Sequence, residues 1–233
     1  MIKISKSTYI NCHSHRKPAI SNEFTIRNAC LHVPKNAPLK YGLSVGIHPW
    51  HLNKIDWRIA KEKLISLMAE AQVFALGEVG LDRLKPNFVE QLDLLKQQLI
   101  LAEPFQKPVI IHCVKAYSDL ITFLKSSTLT FILHAYQGNL FQTNQLLKFQ
   151  NTYFSFGESS LNSKERMDDI LKIIPINRVL LETDTSKKNI EMVYRMMLER
   201  LEISEYDLKI QIRKNFEKVF FKTISSSYNP PAN

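Results

Sequence analysis

A regular alternation of short apolar segments with longer amphipathic ones is the feature that most constrains how this chain can fold. Eight segments have the composition of β-strands: TYINCH, EFTIRNACL, YGLSVGI, FALGEVG, PVIIHC, TFILHA, YFSFG and RVLLETD. Several of them are apolar at nearly every position, which is typical of parallel strands buried on both faces. With amphipathic segments between the strands, the pattern predicts an α/β fold, a TIM-type (β/α)8 barrel. A doubly wound open sheet is the alternative.

Helix-capping residues mark where several of the predicted helices begin. IDWRIAKEKLISLMAEA and FVEQLDLLKQQLILAE are amphipathic segments of helical length. Side chains of N-cap or capping-box type precede three helices: Asp56, Asn162 with Glu165, and Ser204 with Asp207. No long helix is predicted between residues 9 and 45. We therefore expect a single barrel domain over residues 1–224, followed by a frayed tail over residues 225–233.

Charge and cysteine content indicate where such a chain works and what it attracts. With 31 basic and 22 acidic side chains, the formal net charge of +9 favours contact with polyanions such as nucleic acid, although the lysines are scattered. The three cysteines, Cys12, Cys30 and Cys113, form no CxxC pair, which is typical of reduced thiols in a cytoplasmic protein. The sequence has no signal-peptide core and no apolar run of about 18 residues, so we expect no membrane segment.

Histidines and acids recur at the carboxyl ends of the predicted strands, where barrel enzymes carry their active sites. Three of the seven histidines lie at or near strand ends and a fourth follows directly: His13, His112, His134 and His15. Acids occupy equivalent positions: Glu78, Glu182 and Asp184. Because side chains alternate along a strand, His13 and His15 share a face from which Cys12 points away. Cys113 likewise points away from His112, so these thiols are poor ligand candidates.

This set of side chains has the chemistry of a site for divalent cations. Each residue alone has a structural explanation, such as a hydrogen bond for a strand-end histidine or a helix cap for ETD. Their recurrence at one end of successive strands favours a joint function. Imidazole nitrogens and carboxylate oxygens bind divalent ions, and one carboxylate can bridge two of them. Two ions about 3.5–4 Å apart can activate water and stabilise a phosphoryl displacement, and the number of candidate ligands fits such a pair.

Seven motifs, taken together, resemble those of the TatD-type metal-dependent hydrolases. They occur in the order INCHSH, GIHPW, GEVGLD, PVIIHC, FILHAYQG, YFSFG and LLETD. The resemblance covers residues 8–186, and IRKNFEKVF resembles the closing helix of that family. It implies an amidohydrolase-like barrel of TIM type with a site for divalent metal ions.

The resemblance also implies a role for each site residue. The six expected metal ligands are His13, His15, Glu78, His112, His134 and Asp184. Asp184 would hold the first ion with His13 and His15, and the other two histidines would hold the second. Glu78 would bridge the ions and Asp184 would double as general base, so these two are the expected catalytic residues. Contacts with substrate or around the ligands are expected from Asn11, His48, Asp82, Lys115 and Glu182.

Three positions depart from the usual pattern of that family. Asn11 stands where an aspartate is common, which removes a negative charge beside the first ion without deleting a ligand. Val114 and Lys115 follow Cys113 where Arg-Glu is common, and Lys115 lacks the forked geometry with which arginine binds phosphate. After ETD the chain leads directly to a helix, without the usual proline-containing loop.

These observations predict a divalent-metal-dependent hydrolase of phosphodiesters, namely a deoxyribonuclease of exonuclease type that acts on single-stranded DNA. Water activated by two ions, whether Mg, Mn or Zn, would attack phosphorus. Two alternatives stay open. The same site could hydrolyse an amide, ester or lactone bond in a small molecule, or the barrel could be a non-catalytic binding protein.

Overall fold

The computed structural model of the chain describes residues 4–33 and 41–221. The predicted frayed tail at residues 225–233 lies outside these ranges, as does the end of the predicted barrel domain beyond residue 221. Within them, none of the helices is both long and apolar enough to cross a membrane.

All eight predicted strand segments form strands. They are β1 (Tyr9–Ser14), β2 (Glu23–Asn28), β3 (Gly42–Val45), β4 (Val73–Asp82), β5 (Val109–Val114), β6 (Phe131–Leu133), β7 (Thr152–Phe156) and β8 (Val179–Leu181). Each strand pairs in parallel with the next one along the chain, in the order β1 to β8. Consecutive parallel pairing of this kind makes a barrel, because a doubly wound sheet would reverse its strand order. The barrel prediction is confirmed, and the open-sheet alternative is wrong.

Helices follow the strands from β3 onward and pack against the outside of the sheet. They are α1 (Trp57–Ala69), α2 (Phe88–Ala102), α3 (Tyr117–Ser126), α4 (Leu140–Leu146), α5 (Glu158–Leu161), α6 (Lys164–Ile173), α7 (Ile190–Leu198) and α8 (Glu205–Phe220). Between β1 and β3 the described residues contain no helix, as expected from the sequence. The closing helix packs by aromatic contact, since the ring of Phe216 lies 5.7 Å from that of Phe24.

Two of the three predicted helix caps are present. The Asp56 side chain accepts a hydrogen bond from Arg58 N at 2.9 Å, and the Ser204 hydroxyl accepts one from Asp207 N at 3.1 Å. The predicted cap at Asn162 is wrong, because Asn162 ends the short helix α5 and donates its backbone N–H to Glu158 O at 3.0 Å. Helix α6 therefore begins one residue later, after Ser163.

The first and last strands meet at a narrow seam. A single parallel bridge joins Ser14 to Asp184. It is made by two backbone hydrogen bonds of 3.1 Å, from Asp184 N to His13 O and from His15 N to Asp184 O. The seam therefore places the ends of β1 and β8 side by side at the carboxyl-end rim of the barrel.

Two glycines allow β4 to bulge beside β5. Gly77 and Gly80 have φ values of +148° and +150°, a conformation that side-chain-bearing residues rarely adopt. The register of β4 against β5 shifts between Leu76 and Val79, so the bulge contains Glu78. A Cβ atom on Gly80 would lie 1.9 Å from His112 O. The glycines of the GEVG motif thus let β4 lie close to β5, and this brings Glu78 next to His112.

Replacing Gly80 by alanine is expected to lower the free energy of unfolding by about 2–4 kcal/mol, because the new methyl group meets backbone rather than a movable side chain. Urea denaturation followed by circular dichroism measures the change. Gly42→Ala is the matched control, since its Cβ would meet side-chain atoms of Ile26 and Phe74 and its φ is not left-handed. A Gly80→Ala protein as stable as wild type would show that this close approach is not required.

Candidate metal centre

The carboxylate of Glu78 is the centre of a cluster of histidines inside the carboxyl-end rim. Its Oε1 atom lies 2.8 Å from His134 Nε2 and 3.0 Å from His112 Nδ1. Its Oε2 atom lies 3.2 Å from His15 Nε2 and 3.5 Å from His13 Nε2. The two oxygens of one buried carboxylate therefore face two separate pairs of strand-end histidines.

Asp184 completes the group around the β1 histidines. Its Oδ1 atom lies 3.5 Å from His15 Nε2 and 3.7 Å from His13 Nε2. The residue directly follows the ETD threonine and has a left-handed backbone, with φ of 49°. Aspartate tolerates this conformation better than most residues do. The turn at the end of β8 thus brings the Asp184 carboxylate next to the two histidines.

His48 lies closer to the cluster than the sequence predicts. The predicted position is at the rim near substrate, whereas its Nε2 lies 3.1 Å from Glu78 Oε1 and the residue is buried. Its Nδ1 accepts a hydrogen bond from Trp50 N at 3.1 Å. A neutral imidazole that accepts at Nδ1 carries its proton on Nε2, so His48 donates to Glu78. Burial lowers the pKa of His48, which favours this neutral form.

The arrangement fits divalent cations. Three groups of side chains place one donor atom each within 4.8 Å of one another: His13, His15 and Asp184; His13, Glu78 and His134; His48, Glu78 and His112. Ligand atoms that share an ion at about 2.1 Å stand about 3.0–3.5 Å apart, and most of the distances above fall in this range. Among the described residues, both ring nitrogens of His13 and Nε2 of His112 are buried without a hydrogen-bond partner. A cation would satisfy such nitrogens.

Opposite charges stabilise one another within the cluster. Burial alone would raise the pKa of Glu78, but the positive charge of His134 and a hydrogen bond with His112 hold it well below its usual range. Burial opposes protonation of His134, yet the carboxylates of Glu78 and Glu182 raise its pKa well above the ordinary value. A hydrogen bond with Glu78 also raises the pKa of His15. The site is therefore built to hold positive charge beside Glu78.

Glu182 lies behind His134 rather than among the donor groups. Its Oε1 accepts a hydrogen bond from Ala135 N at 2.8 Å and lies 3.3 Å from His134 Nδ1. With the Nδ1 proton directed at Glu182, the Nε2 atom of His134 is free to face Glu78. Glu182 thus fixes which nitrogen of His134 is available.

Asn11 lies beside the seam and belongs to a buried hydrogen-bond network. Its Nδ2 donates to Glu23 Oε1 and to Thr183 Oγ1, both at 2.8 Å. Its Oδ1 accepts from Thr183 N at 3.0 Å. Glu23 also accepts from Thr25 Oγ1 at 2.6 Å and from Ala19 N at 2.9 Å. Asn11 therefore links β1 to the residue before Asp184, and the acid that faces it is Glu23.

Asp82 and Lys115 occupy opposite surroundings. Asp82 is buried; its Oδ2 accepts from Trp50 Nε1 at 2.7 Å and lies 3.6 Å from His112 Nε2. Lys115 is exposed and lines a cavity of about 530 Å³ that opens beside His112, His134 and Asp184. Asp82 is therefore placed to orient Trp50, whereas Lys115 lies at the wall of an open cavity.

Three residues of this region were not identified from the sequence. Arg166 lines the cavity from α6, although nothing in the sequence links it to the strand-end motifs. Glu23 begins β2 and pairs with Asn11 only through the fold. Trp50 ends the GIHPW motif, two residues after His48, and that proximity was the one available signal. Cys12 and Cys113 belong to none of the donor groups, and all three cysteines are unpaired.

Metal affinity is expected to rise with pH. The raised pKa values of His15 and His134 keep these imidazoles protonated to higher pH than usual, and a proton on a ligand nitrogen competes with a cation. Titrating Mn or Zn into metal-depleted protein near neutral pH should release protons, which a pH indicator in weak buffer detects. The exposed His32→Gln variant is the control and should release as many. An affinity that is constant between about pH 6 and pH 8 would contradict this assignment.

Comparison with known proteins adds the family context. A family model described as TatD related DNase matches residues 18–221. The metal-dependent hydrolase YjjV of Escherichia coli K12 is 31% identical over 147 residues, which cover 60% of this chain and 56% of that protein. The 3'-5' ssDNA/RNA exonuclease TatD of Erwinia amylovora is 31% identical over 152 residues, with the same coverage of 60% and 56%. The chain thus spans a little over half the length of these curated relatives.

A solved structure supports the fold. The crystal structure of YjjV, the TatD homolog of E. coli K12, superposes with a TM-score of 0.81. The match covers 93% of this chain and 99% of that one at 21% sequence identity. The TatD resemblance drawn from the sequence motifs is confirmed.

Proposed function

Since the chain belongs to the family of TatD-related DNases, we propose that it is a divalent-metal-dependent hydrolase of phosphodiester bonds in nucleic acid, with single-stranded DNA as substrate. The observation that carries the proposal is the Glu78 carboxylate, whose two oxygens face separate pairs of strand-end histidines. That arrangement suits a carboxylate that bridges two cations. The chain's net charge of +9 supports a polyanionic substrate.

The ligands divide between two cation positions. His13, His15 and Asp184 would hold one cation together with Glu78 Oε2. His112 and His134 would hold the other together with Glu78 Oε1. Bound there, Mg, Mn or Zn ions would supply Lewis-acid activation of water and neutralise charge that develops on the phosphate.

Asp184 is placed to accept the proton of the attacking water. Its Oδ1 faces the β1 histidines, and the residue also lines the 530 Å³ cavity in which a substrate would lie. Oδ2 has a single long contact, 3.5 Å from Thr185 Oγ1, and so retains the capacity to accept a proton. His134 would keep its Nε2 directed to the second cation during the reaction, because Glu182 holds its Nδ1.

The cavity beside the ligands suits an anion. Two basic side chains line it, Lys115 and Arg166, and its other polar lining includes the amides of Gln137, Asn139 and Gln142. Asp184 is the one acid among the lining residues in the described chain. The loop after β5 has Val114 and Lys115 where the family commonly has Arg-Glu. Arg166 on α6 supplies a guanidinium to the cavity instead. Arg166 donates one hydrogen bond, to Ser163 Oγ at 3.2 Å, which leaves other N–H groups for a phosphate.

An end-labelled oligonucleotide assay tests the proposed function. Single-stranded DNA should be shortened stepwise from one end when Mg, Mn or Zn is added singly, and EDTA should abolish the reaction. Single-stranded RNA and a panel of amide, ester and lactone substrates are assayed in parallel. Turnover of an acyl substrate without cleavage of either nucleic acid would replace the phosphodiesterase assignment with the acyl-hydrolase alternative.

Replacing Arg166 by alanine is expected to raise KM for single-stranded DNA about tenfold with a smaller change in kcat, because the substitution removes a charge-assisted hydrogen bond to phosphate. Steady-state kinetics measures both constants. Arg166→Lys should recover part of the loss. Arg195→Ala is the control, since Arg195 is an exposed arginine on α7 paired with Glu191. An unchanged KM in Arg166→Ala would remove this residue from the substrate site.

A further inference from the structure

Trp50 separates the 530 Å³ cavity from a second one. The second cavity has a volume of about 310 Å³ and is lined by the turn after β3 and the loop after β4. Its lining residues include Trp50, Lys54 and Lys85. Within the part of the chain that the structure describes, Trp50 is the one residue common to the linings of both cavities. The second cavity is therefore a direct continuation of the first across one indole ring.

The indole of Trp50 is anchored through its polar atom, and the ammonium of Lys85 lies over its ring. Its Nε1 donates to the buried Asp82 at 2.7 Å, and its ring meets those of His48 and His112 edge to face at 4.9 and 5.7 Å. Even so, 52% of Trp50 is exposed. An indole turned this way presents apolar surface to solvent, and its fixed orientation suits stacking with a planar group.

The second cavity is basic and preformed. Lys85 Nζ lies 4.6 Å from the centroid of the Trp50 ring. No salt bridge within the described residues engages Lys54 or Lys85, and no acid lines the cavity. The side chains of Asn53 and Asn87 join its two walls by a hydrogen bond of 3.2 Å. The cavity thus combines an aromatic ring with the ammonium groups of Lys54 and Lys85 on linked loops. Neither ammonium group is neutralised by an acid among the described residues.

We propose that this second cavity binds the neighbouring nucleotide of a nucleic-acid chain, with its base on the Trp50 indole and its phosphate between Lys54 and Lys85. The inference rests on the proposed function, because the scissile phosphate of the same strand then lies in the first cavity. A base and a phosphate together match the surface, whereas a free anion would leave the indole unused. The site thereby favours a polynucleotide over a mononucleotide.

Fluorescence titration tests binding without turnover. The chain has two tryptophans, so a Trp57→Phe background leaves Trp50 as the reporter. The probes are thymidine monophosphate and phosphorothioate oligothymidylates of two to eight nucleotides, which resist hydrolysis, added to the full chain with Mn. We expect the oligonucleotides to quench Trp50 and to bind at least about tenfold more tightly than the monophosphate.

The double variant Lys54→Ala/Lys85→Ala should remove most of that advantage. It should also lower the slope of log K against log salt by about 0.7, the value for the one phosphate that the two lysines would neutralise. Lys61→Ala/Lys63→Ala, which removes two exposed lysines of α1, is the matched control and should change neither quantity. Equal affinities for monophosphate and oligonucleotides, or a double variant that binds like wild type, would overturn the proposal.

A kinetic comparison separates this inference from the proposed function. In the Lys54→Ala/Lys85→Ala protein, the ratio of kcat/KM for an octamer to that for bis(p-nitrophenyl) phosphate should fall about tenfold. Cleavage of DNA with an unchanged ratio would refute the second nucleotide site alone. Length-dependent quenching of Trp50 without cleavage of any nucleic acid would refute the phosphodiesterase function and leave the binding site standing.

Discussion

Replacing Glu78 by alanine is expected to lower kcat/KM on single-stranded DNA by about a thousandfold or more and to reduce bound metal at both cation positions. One carboxylate faces the four histidines proposed as ligands, so its loss would remove a ligand from each of the two proposed cations, together with the charge that would hold them. Kinetics together with metal analysis of the purified protein measures the two effects. By contrast, replacing a residue that is proposed to hold only one of the two cations should reduce metal at that position alone.

Two further variants make the Glu78 result interpretable. Glu78→Gln keeps the shape of the side chain but not its charge, and it should lose activity to a similar extent. Glu90→Ala, an exposed acid on α2, is the control and should retain wild-type activity. Circular dichroism establishes that each variant is folded. Normal turnover in Glu78→Ala would show that the catalytic centre lies elsewhere.

Replacing Asn11 by aspartate is expected to lower the free energy of unfolding at neutral pH by about 2–4 kcal/mol, because a carboxylate would replace the donor that faces Glu23. Asn11 Nδ2 lies 2.8 Å from Glu23 Oε1, and both side chains are buried. Two carboxylates cannot share that distance when both are ionised. Urea denaturation at neutral and mildly acidic pH measures the loss and its expected relief by protonation.

The companion substitution Glu23→Gln decides whether this pairing is the cause. Asn11→Asp/Glu23→Gln should recover much of the stability, because an amide at position 23 can donate to the new carboxylate. A double-mutant cycle gives the coupling directly. If the single and double variants are equally unstable, the loss arises from Thr183 rather than from Glu23. The family commonly has aspartate where this chain has Asn11. The amide is thus explained by the carboxylate of Glu23 on β2, to which it donates.

The strands were predictable because a strand buried on both faces is apolar along its whole length. That signal, together with β-type composition in the less apolar segments, identified all eight strands, including β6 and β8, which have three residues each. The short helices α4 and α5 were not predicted, since seven and four residues are too few to show a helical period. The same short α5 displaced the predicted cap of α6 from Asn162 to Ser163.

The candidate ligands were predictable for a different reason. They lie at strand ends, and the end of a strand has the same place in every barrel, so position along the chain translates directly into position at the rim. Arg166 and Glu23 depend instead on how helices and strands pack, which no local pattern records. His48 was predicted at the rim near substrate, whereas its hydrogen bond to Glu78 follows from the backbone N–H of Trp50.

The seam between β1 and β8 sets the order in which a metal centre can assemble. His13 and His15 enter the chain near its beginning, whereas Asp184 arrives only with the last strand. A partly synthesised or partly folded chain that lacks β8 therefore lacks one of the ligands proposed for the first cation, so tight binding there would require the complete barrel. A cation held across that seam would act as a cross-link between the two ends of the sheet. Chelation should then promote unfolding first at this junction.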